Sequence, residues 1–313
     1  MRGMTDSASP PPLDIVARAA ALPPLVTAVV HPCDSASLTA VVAARDRGLI
    51  DPILVGPPHK IEAAAAEAGV SLAGLRIEAA PHSHAAATLA VELVHRAEAE
   101  ALMKGSLHTD ELMAEVVKRD AGLRTARRIS HVFVMLVPGY DRPLLVTDGA
   151  VNIDPTLEEK VDIVQNAIDL ARALGITMPK VAILSAVETV TSKLRSTVDA
   201  AALCKMADRG QIKGGVLDGP LAFDNAVSIA AAHTKGIDSP VAGRADILVA
   251  PDLESGNILA KQLEYFAGAE AGGVVLGARV PIILSSRADS LASRVLSCAV
   301  AVHLAHARAT ASP

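Results

Sequence analysis

Short runs rich in Val, Leu and Ile alternate with Ala-rich stretches through the first third of the sequence. Leu25–His31 (LVTAVVH) predicts a strand, and Ser35–Arg47 predicts a helix. The same order returns at Pro52–Gly56 and Lys60–Ala68, and a further short strand is predicted at Leu102–Lys104. Strands that alternate with helices in this way are typical of a parallel sheet whose faces are covered by the connecting helices. The sequence therefore predicts an α/β fold.

The alternation breaks near the middle of the chain. His131–Val137 and Pro143–Thr147 are strand-like runs on either side of the turn-rich pentapeptide PGYDR, and they predict a hairpin. A second alternating set follows, which begins with a helix at Leu157–Leu174 and ends with a strand at Pro281–Leu284 and a helix over about Ser290–Ala307. A chain of 313 residues is long enough for two domains. We expect the second domain to begin at the break.

The composition restricts both the core and the range of partners. Hydrophobic residues make up 51% of the chain, but aromatics only 2%, so the core must consist of Ala, Val, Leu and Ile, which suits a buried parallel sheet. The formal net charge of −5 argues against a nucleic-acid-binding protein, which would need a basic face. An anionic substrate must therefore be held by a local site.

The sequence carries no signal for export or membrane insertion. Cys33, Cys204 and Cys298 are widely spaced and form no CxxC pair, which fits a reducing compartment. Residues 1–12, MRGMTDSASPPP, have no apolar stretch, and we expect a disordered leader rather than a signal peptide. No run reaches the roughly 18 uninterrupted apolar residues of a membrane span. The sequence predicts a cytoplasmic protein with no membrane or nucleic-acid partner.

Four segments place small, polar or charged residues where a predicted strand ends: MKGSLHTD, TDGAVNID, PDLESGN and SSRADS. Ligands of open α/β sheets bind outside the carboxyl ends of strands, so these segments are candidates for a binding site. The candidate substrate-binding residues in the first three segments are Lys104, Gly105, Ser106, Thr109, Asp148, Asn152, Asp252, Ser255, Gly256 and Asn257.

TDGAVNID suggests a polar wall of a cleft, the other three segments suit an anion, and each also suits a simpler structural role. Glycine permits close approach of the backbone, Lys104 supplies a positive charge, and a following helix supplies free N–H groups. In SSRADS, serine hydroxyls, a guanidinium and a helix N-terminus meet, which suits a tetrahedral oxyanion. The alternative is helix capping, for example by Thr109 or Asp289.

Signatures of several common enzyme classes are absent. The sequence has no GxxxxGK[ST] and no GxGxxG after a predicted strand, so a P-loop nucleotidase or a dinucleotide-binding turn has no support. HExxH, GxSxG and metal-spaced Cys/His clusters are absent too. No metal site is predicted.

Taken together and in order, the segments resemble the phosphate acetyltransferase/phosphate butyryltransferase family. The resemblance rests on MKGS, HTDELM, TDGAVNIDPT, VLDGPLAFDNA, SPVAGRADILVAPDLESGNILAKQL and PIILSSRADS, and it covers about residues 25–305. HTDELM, AGLRTARRISHVF and SSRAD look more like the butyryltransferase branch than the acetyl-specific one.

The resemblance implies a fold like that of isocitrate and isopropylmalate dehydrogenases, with two α/β domains flanking a cleft. The first domain would take residues 13–139 plus 284–313. The second would take residues 140–283 and carry the dimer interface, so a homodimer or a dimer-based oligomer is expected.

The implied reaction exchanges a short acyl group, acetyl to butyryl, between coenzyme A and phosphate without an acyl-enzyme. Coenzyme A is then a substrate, and no bound cofactor is expected. A carboxylate would take the thiol proton, and the thiolate would attack the acyl carbonyl. The Ser–Arg pair that stabilises the oxyanion and the departing phosphate corresponds by position to Ser286 and Arg287.

Two positions depart from the family pattern. Acetyltransferases carry an Asp base seven residues after the catalytic Ser, where this sequence has Ser293. Asp289 is the nearest carboxylate and is the candidate base. Met113 stands where acetyltransferases have a phosphate-binding Arg, and Arg124, or another arginine in LRTARRIS, is the candidate replacement.

Two other functions stay open at this point. A non-catalytic member of the same fold could bind coenzyme A or acyl phosphate, and the displaced base supports this alternative. A metal-dependent dehydrogenase would need a cluster of Asp residues, and the sequence has no obvious Asp-x-x-x-Asp pair on a helix.

Overall fold

The computed structural model describes residues 14–286 and 288–311, and its centre is one mixed β-sheet. The predicted leader and Arg287 lie outside the described residues. The strands are β1 Leu25–Val30, β2 Ile50–Gly56, β3 Arg76–Ala79, β4 Ala101–Lys104, β5 Ser130–Leu136, β6 Leu144–Thr147, β7 Lys180–Leu184, β8 Val216–Leu221, β9 Ile247–Val249, β10 Glu270–Leu276 and β11 Ile282–Ile283. The helices are α1 Ile15–Ala20, α2 Ser35–Asp46, α3 Pro58–Ala68, α4 Ser83–His95, α5 Thr109–Val116, α6 Leu157–Ala173, α7 Arg195–Asp208, α8 Phe223–Val227, α9 Ile229–Thr234, α10 Leu253–Tyr265 and α11 Leu291–Ala311.

The sheet has two parallel parts joined by an antiparallel centre. Its strand order is β3-β2-β1-β4-β11-β10-β5-β6-β9-β7-β8 within the described residues. The strands from β3 to β11 are parallel to one another, as are those from β6 to β8. Each pair from β11 through β10 and β5 to β6 is antiparallel. Because the direction reverses three times, the carboxyl ends of the two parallel parts point in opposite directions.

The β-rich runs predicted from the first half of the sequence are strands, and the predicted hairpin is confirmed. It pairs Val132 with Thr147 and Met135 with Leu144. The predicted α/β fold is confirmed as a mixed α/β fold with one large sheet. Because β5 and β6 pair directly, the sheet is continuous across the predicted domain boundary, and the division into two domains stays a prediction.

The pattern of residues predicts no strand at β10, yet β10 lies at the centre of the sheet. Its sequence, EAGGVVL, contains two glycines, which weaken strand propensity. Tertiary packing explains the first of them. A Cβ at Gly272 would lie 2.9 Å from Leu296 Cγ of α11. The missing side chain therefore lets α11 pack directly on the strand.

Helices cover both faces of the sheet. Val132 and Val134 of β5 share a buried cluster with Leu296 of α11, while Met135, on the other face, packs in a cluster with Ala226 of α8. Such alternation along a strand separates the two faces. None of the described helices is both long and apolar enough to cross a bilayer.

Candidate active site

Two cavities lie on either side of the loop that follows β11. The first, about 380 Å³, lies against α10 and is called the α10 cavity. The second, about 350 Å³, lies against the start of α2 and is called the α2 cavity. Ser285 and Ser286 line both. Each volume is in the range of small-molecule sites, and the shared serines make the loop after β11 the wall between them.

The α2 cavity includes the predicted segment at the end of β4. Lys104 is only 6% exposed, and its Nζ donates to the carbonyl oxygens of Gly105 (3.1 Å) and Leu107 (3.2 Å). Gly105 has no room for a side chain, because a Cβ would lie 2.5 Å from the carbonyl oxygen of Val30. Ser106 Oγ donates to the carbonyl oxygen of His31 at 2.7 Å. The segment is therefore fixed against the end of β1.

Arg294 of α11 supplies a second buried positive charge to the α2 cavity. Its Nη2 donates to the carbonyl oxygen of Ser286 at 2.9 Å, and its Nε donates to that of Asp289 at 3.3 Å. Its Nη1 is 3.4 Å from Ser285 Oγ. Arg294 thus holds the loop between the two cavities in place while its charge faces the α2 cavity.

Ser286 and Asp289 form a closed turn in this loop, and both line the α10 cavity. The backbone N–H of Ser286 donates to Asp289 Oδ2 at 2.7 Å, and that of Asp289 donates to the Ser286 carbonyl oxygen at 3.2 Å. Burial raises the pKa of Asp289, although the Ser286 N–H and the charge of Lys261 oppose the rise. A cavity-lining carboxyl group with a raised pKa is suited to proton transfer.

Strands form an apolar wall of the α10 cavity. β5 contributes His131 and Phe133, and β10 contributes Ala271 and Gly273, next to Leu284 at the end of β11. These side chains lie on the sheet face opposite to the one covered by α11. The wall is suited to a short aliphatic group.

Helix α10 forms the opposite, polar wall. Asn257 Nδ2 donates to the carbonyl oxygen of Gly149 at 3.0 Å, and Lys261 Nζ lies 2.7 Å from Glu264 Oε2. Burial alone would lower the pKa of Lys261, but its hydrogen bond to Glu264 raises it. Thr109, the first residue of α5, also lines the cavity. Polar groups therefore face the mainly apolar strand wall.

Asp148 and Asn152 do not line the α10 cavity, but they lie in the same loop as Gly149 and Ala150, which do. Asp148 is buried, and its carboxylate accepts from the backbone N–H groups of Ala150 (2.9 Å) and Val151 (3.0 Å). Asn152 Nδ2 donates to Asp148 Oδ2 at 2.5 Å and to the Ile129 carbonyl oxygen at 2.9 Å. Both side chains therefore shape the loop after β6.

The remaining predicted binding residues line neither cavity: Asp252, Ser255, Gly256 and Arg124. Asp252 is the N-cap of α10, where its Oδ1 accepts from the Ser255 N–H at 2.8 Å. A Cβ at Gly256 would lie 2.4 Å from the Asp148 carbonyl oxygen, so this glycine lets α10 pack on the loop after β6. Arg124 is exposed and pairs through its backbone with Ala278. Their roles in substrate binding stay predictions.

A cavity of about 530 Å³ lies elsewhere, between the carboxyl-terminal parts of α6 and α11, with Arg172 and Arg308 in its wall. It lies against helices on the α11 face of the sheet, and no residue predicted from the sequence lines it. Volume alone therefore does not mark the site. The two cavities at Ser286 are distinguished by strand ends, charge and the predicted residues.

Comparison with known proteins assigns the family. Residues 78–302 match the family described as Phosphate acetyl/butaryl transferase. The chain belongs to the phosphate acetyltransferase/phosphate butyryltransferase family. This confirms the resemblance of the sequence motifs and favours an enzyme over a binding protein.

Relatives of both names match over nearly the whole chain. A phosphate acetyltransferase of Rhizobium meliloti is 61% identical over 297 residues, which cover 95% of this chain and 94% of that protein. A phosphate butyryltransferase of Clostridium acetobutylicum is 44% identical over 272 residues, covering 87% of this chain and 90% of that protein. The higher identity is to a protein named for acetyl transfer, so these names do not establish the butyryltransferase branch.

The fold agrees with a solved member of the family. The crystal structure of a branched-chain phosphotransacylase from Enterococcus faecalis V583 is 31% identical to this chain, with a TM-score of 0.79. The match covers 90% of this chain and 99% of that one. The mixed α/β fold with its large sheet is therefore shared with phosphotransacylases.

Sequence reasoning missed His131, Phe133 and Arg294 in this family member. His131 and Phe133 lie within an apolar strand and belong to the AGLRTARRISHVF segment, but the strand pattern does not predict that they line a cavity. Arg294 could have been found from helical spacing, since it follows Ser290 by one turn at the start of α11. No group of three or more His, Cys, Asp or Glu side chains that could hold a metal ion occurs in the described part of the chain.

Proposed function

We propose that this enzyme transfers a short acyl group, acetyl to butyryl, between coenzyme A and phosphate, so that acyl-CoA and phosphate are interconverted with acyl phosphate and free coenzyme A. One observation carries the proposal. At Ser285 and Ser286, a cavity with two buried cations adjoins a cavity with an apolar wall and a carboxyl group of raised pKa. An acyl phosphate has the same two halves, a charged phosphate and an apolar acyl chain.

The charges and surfaces of the cavities support this arrangement of substrates. The ammonium of Lys104 and the guanidinium of Arg294 would attract phosphate to the α2 cavity. Phe133 and Ala271 would contact the acyl chain in the α10 cavity. The reacting carbonyl would then lie beside Ser286. Coenzyme A is a substrate in this scheme, and the proposal includes no resident cofactor.

In the direction that consumes acyl phosphate, Asp289 would accept the proton of the coenzyme A thiol. The thiolate would attack the acyl carbonyl, and the tetrahedral oxyanion would accept a hydrogen bond from the hydroxyl of Ser286. Collapse of this species breaks the bond between the acyl carbon and the phosphate oxygen, and phosphate leaves. Arg287, which lies outside the described residues, is the proposed partner of Ser286. Loss of one oxyanion donor costs on the order of 10²–10³ in rate.

We further propose the two-domain division, with residues 13–139 plus 284–313 in one unit and residues 140–283 in the other, as in isocitrate and isopropylmalate dehydrogenases. The return of the chain end to the first unit supports it. His303 Nε2 of α11, in residues 284–313, lies 3.0 Å from the carbonyl oxygen of Ile15 in α1. The cavities then lie where the two units meet.

A homodimer through the second unit is also proposed. Large apolar side chains are exposed near the edge strand β8 and its neighbours: Val190, Leu194, Val198, Phe223 and Ile229. An exposed group of this kind is typical of a protein–protein interface. Light scattering during gel filtration would give the assembly size, and a monomeric mass at micromolar concentration would contradict the proposal.

The cytoplasm is the proposed location. Cys33, Cys204 and Cys298 are all unpaired thiols, which suits a reducing compartment. Fractionation of cells that produce the full chain would test this, and recovery from an extracellular or membrane fraction would contradict it.

The deciding experiment follows thiol release from acetyl-, propionyl- and butyryl-CoA, with and without phosphate, using a thiol-reactive dye. We expect release that requires phosphate, with the order of the three substrates giving the preferred chain length. Binding of coenzyme A without release from any substrate would instead favour the non-catalytic binding protein.

A further inference from the structure

His131 is a buried polar residue that the proposed mechanism does not yet use. It lies in β5 and is 2% exposed, yet it lines the α10 cavity. Its Nδ1 is buried and has no hydrogen-bond partner among the described residues. A buried polar atom left unpaired costs about 1–3 kcal/mol. Such an atom in a native site calls for a functional explanation.

The ring of His131 is fixed between two neighbours. On one side it packs edge to face on Phe133, with ring centroids 4.4 Å apart and an interplanar angle of 70°. On the other side lies Gly273 of β10, where a Cβ would be 2.8 Å from His131 Nε2. The backbone is fixed too, since the His131 carbonyl oxygen accepts from Thr147 Oγ1 at 2.8 Å. The ring therefore has a defined position and a defined edge toward Gly273.

That edge is directed toward the loop after β11. The same hypothetical Cβ at Gly273 would lie 3.0 Å from the carbonyl oxygen of Leu284, the residue before Ser285. His131 Nε2 and the start of the serine loop thus surround one point, and Gly273 leaves that point open. A substrate carbonyl near Ser286 would have Nε2 as a neighbour.

The unpaired Nδ1 also indicates which nitrogen carries the proton. Burial lowers the pKa of His131 to about 4, although the charge of Asp148 opposes this, so the ring is neutral at neutral pH. A neutral imidazole has one N–H donor and one acceptor. A proton on Nδ1 would bury an N–H with no acceptor, whereas a proton on Nε2 buries only a lone pair. The tautomer with the proton on Nε2 is therefore favoured, and its N–H is directed to the open point beside Gly273.

We propose that His131 contacts the substrate through its Nε2–H, which donates a hydrogen bond to the carbonyl oxygen of the acyl group in the α10 cavity. This inference rests on the proposed acyl transfer and adds a second oxyanion donor to it, on the opposite side of the carbonyl from the serine loop. A neutral donor of this kind orients a carbonyl without attracting free phosphate into the α10 cavity. The charged groups that face the same cavity are Lys261, Glu264 and Asp289.

The test compares two variants of similar size. His131→Leu removes both nitrogens, whereas His131→Gln keeps an N–H donor near the position of Nε2. Removing the unpaired buried nitrogen should leave the melting temperature unchanged or raise it, because an apolar group of similar shape replaces an unsatisfied polar one. We expect kcat to fall by about 10²-fold in His131→Leu and to recover at least about tenfold in His131→Gln, with KM for phosphate unchanged in both.

A spectroscopic arm separates this inference from the proposed function. In the absence of phosphate, the infrared carbonyl stretch of bound [1-¹³C]acetyl-CoA should lie at lower frequency in the wild-type protein than in His131→Leu, because a hydrogen bond weakens the C=O bond. If the wild type releases no thiol, the proposed function fails, and the carbonyl stretch still decides the role of His131. An identical stretch in wild type and His131→Leu would overturn the inference, as would equal kcat values in an active enzyme.

Discussion

The α2 cavity and the α10 cavity share Ser285 and Ser286 but are built in different ways. The α2 cavity is enclosed by buried cations that are bonded to backbone carbonyl oxygens, as with Lys104 and Arg294. The α10 cavity has an apolar strand wall, and its open space depends on Gly273, which has no side chain. Buried cations thus define the α2 cavity, whereas the strand wall of the α10 cavity is defined by its shape. Variants should therefore alter one property at a time.

Asp289 lies on the shared loop, and its loss should give the largest effect. Asp289→Asn keeps an oxygen that can accept from the Ser286 N–H but cannot take a proton. Because a general base contributes about 10²–10⁴ to the rate, we expect kcat to fall by that factor for every acyl chain. Steady-state thiol assays in both directions would measure it. An unchanged kcat would exclude Asp289 as the base.

The raised pKa of Asp289 also predicts two opposite effects of pH. In the direction that consumes acyl phosphate, wild-type activity should fall as pH falls through this raised pKa, since only the carboxylate accepts a proton. The effect of pH on folding stability is opposite to its effect on activity. A carboxyl group whose pKa is raised by folding stabilises the fold below its unfolded pKa, and this contribution is lost as pH rises through the folded pKa. Asp289→Asn should therefore unfold at a higher temperature than the wild type at pH 7, with the difference disappearing in acid.

Replacing Lys104 tests whether the buried cations of the α2 cavity bind phosphate. Lys104→Met removes a buried cation while keeping a long side chain, and a hydrogen bond to a charged group is worth about 1.5–3 kcal/mol. We expect KM for phosphate to rise about 10–100-fold, with the ratio of butyryl to acetyl activity unchanged. Lys193→Met, at an exposed lysine, is the matched control. A change in acyl preference, without a change in phosphate KM, would reverse our assignment of the two cavities.

Two adjacent glycines of β10 test the shape of the α10 cavity. Gly273→Ala places a methyl group 2.8 Å from His131 Nε2, whereas Gly272→Ala places one 2.9 Å from Leu296 Cγ on the opposite face. We expect Gly273→Ala to lower kcat about tenfold, because small displacements of positioning groups reduce rate strongly. Gly272→Ala should leave kcat nearly unchanged and lower stability by about 1–3 kcal/mol through overpacking. Equal effects of both variants on both measurements would show that β10 acts only as a structural strand.

Ala271 should influence acyl chain length alone. Ala271→Val adds two methyl groups to the strand wall and narrows the α10 cavity. One methylene in an apolar pocket changes discrimination by about 1–3 kcal/mol, so butyryl activity should fall at least about tenfold relative to acetyl. KM for phosphate should not change. Competition between acetyl- and butyryl-CoA in one reaction measures the ratio directly, and an unchanged ratio would place the acyl chain elsewhere.

Local sequence patterns predicted the strand ends, because a β-rich run followed by Gly or Asp is visible without tertiary structure. Lys104 and the Ser286 loop were found in this way. The α10 cavity could not be predicted from strand ends. It depends on His131 inside an apolar strand and on Gly273 in a strand that the pattern does not predict. The contact between them is made only when distant parts of the chain pair in one sheet. Patterns near a strand end also cannot distinguish a cap from a ligand.

Asp252 is a residue for which the sequence does not distinguish a helix cap from a substrate ligand. Its replacement should have the smallest effect on activity. Like Asp289, it follows a strand, but it accepts from the Ser255 N–H as the N-cap of α10 and lines neither cavity. Asp252→Ala should therefore lower stability by about 0.5–2 kcal/mol, while kcat and both KM values stay within twofold or so of wild type at a temperature where the protein is folded. Chemical denaturation and the thiol assay would measure these quantities. A raised KM for acyl-CoA together with unchanged stability would instead make Asp252 the ligand that the sequence suggests, next to Leu253 in the wall of the α10 cavity.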